Sequence, residues 1–70
     1  MTSKDVIKVL RKLGWYEVNQ VGSHKQFKHD KIKGRVTLPH PKKDLAIGTQ
    51  KSILKQMQIT KEEFEKWLNS

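Results

Sequence analysis

Apolar residues near the start of the chain recur every three or four positions, with lysine and arginine filling the positions between them. The apolar residues of this stripe are Val6, Val9, Leu10 and Leu13. That spacing places their side chains on one face of an amphipathic helix. Ser3 is the expected N-cap of this helix, and Gly14 is expected to end it.

Three segments rich in aromatic and β-branched residues follow the predicted helix, and each is typical of a β-strand. They are Trp15–Val21, His24–His29 and Arg35–Leu38. Gly22 and Ser23 form a turn between the first two, residues 30–34 form a short loop, and Pro39 stops the third. The pattern predicts a three-stranded antiparallel meander. Trp15 and Tyr16 are expected in the core, although aromatic residues also stack on RNA bases.

Two helices are predicted after the strands. Thr49 is the expected cap of the first, whose apolar positions are Ile53, Leu54 and Met57. Thr60 and Glu63 match a capping box that opens the second helix, whose apolar positions are Phe64, Trp67 and Leu68. A sheet of three short strands cannot stay exposed on both faces, so the fold class is α+β, with the helices covering one sheet face.

Chain length, net charge and cysteine content narrow the classes of function that this chain can have. The chain has 70 residues, enough for one domain over 1–70, and its 15 Lys and Arg against 7 Asp and Glu give a net charge of +8. Such an excess favours a nucleic-acid partner, and a solvated basic surface or an acidic protein partner is the alternative. There is no cysteine, and no apolar run reaches the length of a membrane span. A cytoplasmic location is therefore expected, with no membrane partner.

An ordered series of short motifs resembles the HicA family of bacterial toxin ribonucleases, whose fold is that of the double-stranded-RNA-binding domain. The motifs are Leu13-Gly14-Trp15, Gly22-Ser23-His24 with Phe27, Val36-Thr37-Leu38-Pro39-His40-Pro41, Lys43-Asp44-Leu45, Gly48-Thr49, Ser52-Ile53-Leu54-Lys55-Gln56, Ile59-Thr60 and Glu63-Phe64. A Gly-Ser-His triplet alone has little specificity. The motifs occur in the same order and at the same separations as in the family, over nearly the whole chain, and this makes the resemblance specific.

The resemblance implies an endoribonuclease that needs no metal or other cofactor, cuts mRNA and thereby slows translation and growth. It also implies a HicB-like antitoxin that covers the active site. The catalytic histidine of the family corresponds to His24, and the Gly-Ser lead-in corresponds to Gly22 and Ser23.

The chemistry suits these residues. RNA carries its own nucleophile, the 2′-hydroxyl, and an imidazole that titrates near neutral pH is a competent general base for that proton. Strand alternation puts His24 on the face opposite Phe27. Lysines are the expected phosphate contacts, near His24 and around the start of the second predicted helix. Gly22 permits close approach of a phosphate to the backbone, and Ser23 can donate to a phosphate oxygen. The substrate-binding candidates are therefore Gly22, Ser23, Lys25, Lys28, Lys42, Lys43 and Lys51.

Several alternatives stay open on the sequence. The acid that protonates the leaving group is unassigned, and His29, His40 and a lysine are low-ranked candidates for it. The spacing of the three histidines, with no carboxylate nearby, makes a metal site a weak reading. A non-catalytic RNA-binding module and a protein-protein module with an acidic partner are the competing functions, and only a ribonuclease needs the Gly-Ser-His element.

Overall fold

A computed structural model describes all residues 1–70. The elements are α1 Ser3–Lys12, β1 Tyr16–Val21, β2 His24–Lys28, β3 Val36–Pro39, α2 Ile47–Met57 and α3 Lys61–Leu68. They form the predicted α+β arrangement of a helix, a three-stranded antiparallel meander in the order β1-β2-β3, and two further helices. No helix is long and apolar enough to cross a membrane.

The start of α1 differs from the prediction by one residue. Thr2 is the N-cap, with an extended backbone and a hydroxyl that accepts a hydrogen bond from the Asp5 amide at 3.0 Å. Such a cap is typically worth about 1 kcal/mol. Ser3 is the first helical residue and is buried. Its hydroxyl bonds to a distant loop, so the capping role assigned to it was wrong.

The register of the sheet separates two faces. Phe27 pairs with Val36 and Lys25 pairs with Leu38. Phe27, Val36 and Leu38 are buried, so these pairs lie on the face that the helices cover. Successive side chains along a strand point to opposite faces. The other face, which carries Gln26 opposite Thr37, is open.

All three helices contribute to one core. Its buried apolar residues are Val6, Val9, Leu10, Trp15, Phe27, Val36, Leu38, Leu45, Ile53, Leu54, Met57 and Phe64. Trp15 lies there as predicted, whereas Tyr16 is 45% exposed and the expectation that it is buried was wrong. Tyr16 pairs with Lys28 across the β1–β2 ladder, which puts it on the open face, and its hydroxyl donates to Asp30 at 3.0 Å.

Helix α2 also starts earlier than predicted. It begins at Ile47 after Ala46, which supplies no side-chain cap, and Thr49 lies within the first turn. Gln50 donates from its side chain to the Leu45 carbonyl at 2.7 Å and so fastens the chain entering the helix. The predicted capping box of α3 is present, with reciprocal bonds between Thr60 and Glu63.

Helix α2 lies against the outer edge of the sheet at β3. The side-chain oxygen of Gln56 accepts a hydrogen bond from the Thr37 amide at 2.9 Å. A glutamine on the helix thus satisfies a backbone donor that the neighbouring strand cannot reach.

Candidate active site and nucleic-acid interface

The site predicted from the sequence is built on the turn between β1 and β2. Gly22 and Ser23 connect the two strands, and Gly22 has φ +59°. Two-residue hairpin turns require positive φ values, which glycine adopts without steric cost. A Cβ at Gly22 would meet no atom within 4 Å. Backbone conformation, rather than lack of space, therefore favours glycine, and the turn stays open to a ligand.

His24 is the first residue of β2 and is exposed. It pairs with Val21 on one side and Pro39 on the other. Because the neighbouring pair, Lys25 and Leu38, lies on the covered face, His24 lies on the open face with Gln26 and Lys28, as predicted. Its imidazole makes no hydrogen bond within the chain, so both ring nitrogens are available to a substrate.

The two lysines predicted beside His24 lie in different settings. Lys28 is exposed on the same face, at the far end of β2. Lys25 lies on the covered face, and its ammonium is bound to Glu17 at 3.0 Å. Lys25 is the only Lys or Arg paired with an acidic side chain in the chain. The remaining basic side chains carry no such counter-charge, which fits a surface that meets a polyanion.

The lysines predicted near the second helix are divided between two places. Lys42 and Lys43 lie in the loop after β3 and line a groove against the start of α1. Lys51 is exposed on α2 and does not line that groove. Sequence proximity had grouped the three lysines together, and the fold brings together only the first two.

His29 has a structural role. Its Nε2 lies 2.9 Å from the Leu13 carbonyl, and its Nδ1 accepts from the Lys31 amide at 3.0 Å. The ring also packs edge-on against Trp15, with centroids 5.2 Å apart. At about 3.3 Å per residue, five strand positions separate it from His24 by roughly 16 Å. Both ring nitrogens are engaged, so His29 is a poor candidate for the acid.

His40 is held close to the Gly-Ser turn on the other side of the sheet. Its backbone amide donates to the Ser23 carbonyl at 2.7 Å, and its Nδ1 lies 2.7 Å from the hydroxyl of Ser3. Sequence reasoning ranked His40 low and took Ser3 for a helix cap. No local signal pairs two residues 37 positions apart. No group of three or more His, Asp or Glu side chains is placed so that it could hold a metal ion.

The fold and the exposed residues define the class of protein. The chain folds as a domain of the double-stranded-RNA-binding type, with a helix, an antiparallel meander and two further helices on one sheet face. An exposed histidine, His24, follows its Gly-Ser turn. The profile of a family described as the HicA toxin of bacterial toxin-antitoxin systems matches residues 3–59. The chain belongs to the HicA toxin family. A toxin of such a system has an antitoxin as its partner.

The family match begins at the first residue of α1 and ends two residues after α2. It therefore includes the whole sheet, the Gly-Ser turn and His24, and it stops before α3. A search of curated proteins found no match to the chain.

Proposed function

We propose that this toxin is an endoribonuclease that cuts mRNA without a metal ion, with His24 as the general base. The observation that carries the proposal is the setting of His24. In a HicA-family chain, this histidine follows a Gly-Ser turn, lies on the open sheet face and makes no bond that the fold needs. A histidine kept for stability would be engaged as His29 is.

The proposed reaction uses the nucleophile that RNA supplies. His24 takes the proton of the 2′-hydroxyl, the 2′-oxygen forms a bond to phosphorus, and the bond from phosphorus to the 5′-oxygen breaks. Water supplies the proton to the 5′-oxygen, because the ring nitrogens of His29 are engaged and the ring of His40 lies across the sheet. The products are a 2′,3′-cyclic phosphate and a 5′-hydroxyl. General base catalysis of this kind contributes about 10²–10⁴-fold to the rate.

Binding relies on charge. Lys28 shares the open face with His24, and Gly22 lets a phosphate approach the backbone of the turn. Ser23 is exposed beside it, and its hydroxyl makes no hydrogen bond within the chain. Lys42 and Lys43 lie in the loop after β3, close to His40, and Lys51 adds a positive charge on α2. A HicB-like antitoxin that covers the open face would neutralise the toxin by excluding RNA.

The test is incubation of the protein and its His24→Ala variant with a labelled RNA in EDTA, followed by analysis of the fragment ends. We expect cleavage by the parent alone, with cyclic phosphate ends. RNA binding by both proteins without cleavage would support the second candidate, a non-catalytic RNA-binding module. Cleavage by the variant would remove His24 from the catalytic role.

A further inference from the structure

A second basic surface lies behind the Gly-Ser turn. Residues 2–4 at the start of α1 face residues 40–43 of the loop after β3, and together they line an open groove of about 410 Å³. We call this concavity the α1 groove. Three lysines line it, Lys4, Lys42 and Lys43, and none is paired with an acidic side chain. Neither Asp5 nor Asp44 lines it.

Hydrogen bonds of Ser3, the only buried polar residue of the chain, hold the two sides of the α1 groove together. The Ser3 amide donates to the Lys42 carbonyl at 2.9 Å, and the Lys42 amide donates to the Ser3 hydroxyl at 2.8 Å. The same hydroxyl lies 2.7 Å from Nδ1 of His40. These bonds fix the loop against α1 and fix the His40 ring in the wall of the groove.

The His40 ring keeps one nitrogen, Nε2, available to a ligand. When the Ser3 hydroxyl donates to Nδ1, the neutral ring carries its hydrogen on Nε2. When Nδ1 carries a hydrogen instead, it donates to the Ser3 hydroxyl, which then turns to the Lys42 carbonyl at 3.2 Å. Nε2 makes no hydrogen bond within the chain, and it carries the hydrogen of the neutral ring in the tautomer whose Nδ1 accepts from Ser3. The wall of the groove thus combines this ring nitrogen with the side chains of three lysines, whose ammonium groups can reach a phosphate oxygen.

The groove adjoins the proposed active site through the backbone. His24 pairs with Pro39, and the next residue, His40, donates to the Ser23 carbonyl. His24 lies on the open face, whereas the His40 ring is bonded to α1 on the covered side. The two histidines therefore flank the same end of the sheet on opposite sides. A strand of RNA that passes round this end meets both.

We propose that the α1 groove binds a phosphate of the RNA strand near the one that is cut, with His40 Nε2 and the ammonium groups of Lys42 and Lys43 as its contacts. The proposal rests on RNA being the substrate and adds a second contact point for it. His40 thereby binds substrate away from the reacting bond and takes no part in the proton transfers.

The experiment separates binding from cutting. Affinity for a short single-stranded RNA is measured at several salt concentrations in His24→Ala protein, and then with His40→Gln, Lys42→Gln or Lys43→Gln added. We expect each added change to weaken binding by about tenfold. Each lysine change should also reduce the log–log salt slope by about 0.7. Lys33→Gln, an exposed lysine in the β2–β3 loop, is the charge-matched control and should change neither by as much.

Cleavage kinetics supply the second measurement. In protein that retains His24, His40→Gln should raise KM and leave kcat unchanged, because a remote phosphate contact is equal in the ground and transition states. The side chains of Lys42 and Lys43 make no bond within the chain, so these variants test the groove even if His40→Gln unfolds.

Two results would overturn the proposal. If the groove variants bind RNA as Lys33→Gln does, no phosphate lies in the groove, and His24-dependent cleavage by the parent would leave the ribonuclease function standing. If His40→Gln lowers kcat without changing KM, His40 acts at the reacting phosphate instead. A parent protein that neither binds nor cuts RNA would refute both proposals together.

Discussion

The hydroxyl of Ser3, at the first helical position of α1, lies 2.7 Å from Nδ1 of His40, immediately after the last residue of β3. One buried side chain thus links the first helix, the end of the sheet and the loop that carries Lys42 and Lys43. Each of these hydrogen bonds has the buried Ser3 as one partner, so water cannot easily replace it. Removing the hydroxyl therefore has a predictable cost.

Ser3→Ala is expected to destabilise the fold by about 1–3 kcal/mol, because the Lys42 amide and the His40 ring lose their common partner. Urea unfolding followed by tryptophan fluorescence measures this. Ser52→Ala, at an exposed position of α2, is the matched control and should change stability by no more than about 0.5 kcal/mol. Equal unfolding midpoints for the two variants would mean that the Ser3 bonds contribute nothing.

Phe64 and Trp67 of α3 should differ sharply when each is replaced by alanine. Phe64 is 2% exposed and belongs to the core, so its truncation is expected to cost about 3–5 kcal/mol. Trp67 is 40% exposed and should cost much less. Thermal unfolding by circular dichroism gives the comparison, and a Trp67→Ala loss as large as that of Phe64→Ala would contradict the packing described here.

Gly22→Ala should destabilise the β1–β2 turn by about 1–2 kcal/mol, because an L-residue with a Cβ is strained at φ +59°. Gly22→Asn should cost less, since asparagine tolerates this region. Chemical denaturation of the two variants is the measurement. Because a Cβ here meets no neighbouring atom, an alanine variant as stable as the parent would show that the turn adopts another conformation.

A deoxyribose at the scissile position should stop cleavage while leaving binding nearly unchanged, because the proposed nucleophile is the 2′-hydroxyl and the phosphates are retained. The same oligonucleotide with the deoxyribose placed two positions away is the control and should still be cut. Continued cleavage of the first substrate would mean that water is the nucleophile.

Tyr16 is expected to titrate above the ordinary tyrosine range. The hydrogen bond to Asp30, together with the negative charge of that carboxylate, raises the pKa of Tyr16. The contact therefore stabilises the fold below the ordinary tyrosine pKa, and this contribution is lost as the pH rises through the raised value. Tyr16 is the only tyrosine, so tyrosinate absorbance follows it directly. Asp30→Asn should lower its pKa, and an unchanged titration would rule out the contact.

The sequence was sufficient for the elements and their order because local signals agree with the tertiary fold. The three-to-four-residue spacing of α1, the strand composition and the Thr60 capping box each gave the observed element. Errors arose where tertiary contacts override local preference. Ser3 and Thr49 have good capping chemistry, but the fold buries the first and begins α2 before the second.

The candidate site was predictable only in part. His24 follows from a motif that is contiguous in the sequence, and strand alternation gave its face correctly. The partners of His40 and Lys25 depend on contacts between separate elements, Ser3 in α1 and Glu17 in β1. Nothing in the local sequence encodes which distant side chain a polar group meets, so these relationships required the structure.

The hydrogen bond that the Thr37 amide donates to Gln56 also limits how copies of this toxin can associate through strand pairing. Along the outer side of β3, the next position that faces outward is Pro39, which has no N–H. That edge therefore has no free backbone donor for an incoming strand. Strand pairing between copies is therefore favoured at β1, and two copies joined β1 to β1 would cover both of these edges. Such pairing closes on itself as a dimer and does not favour a filament.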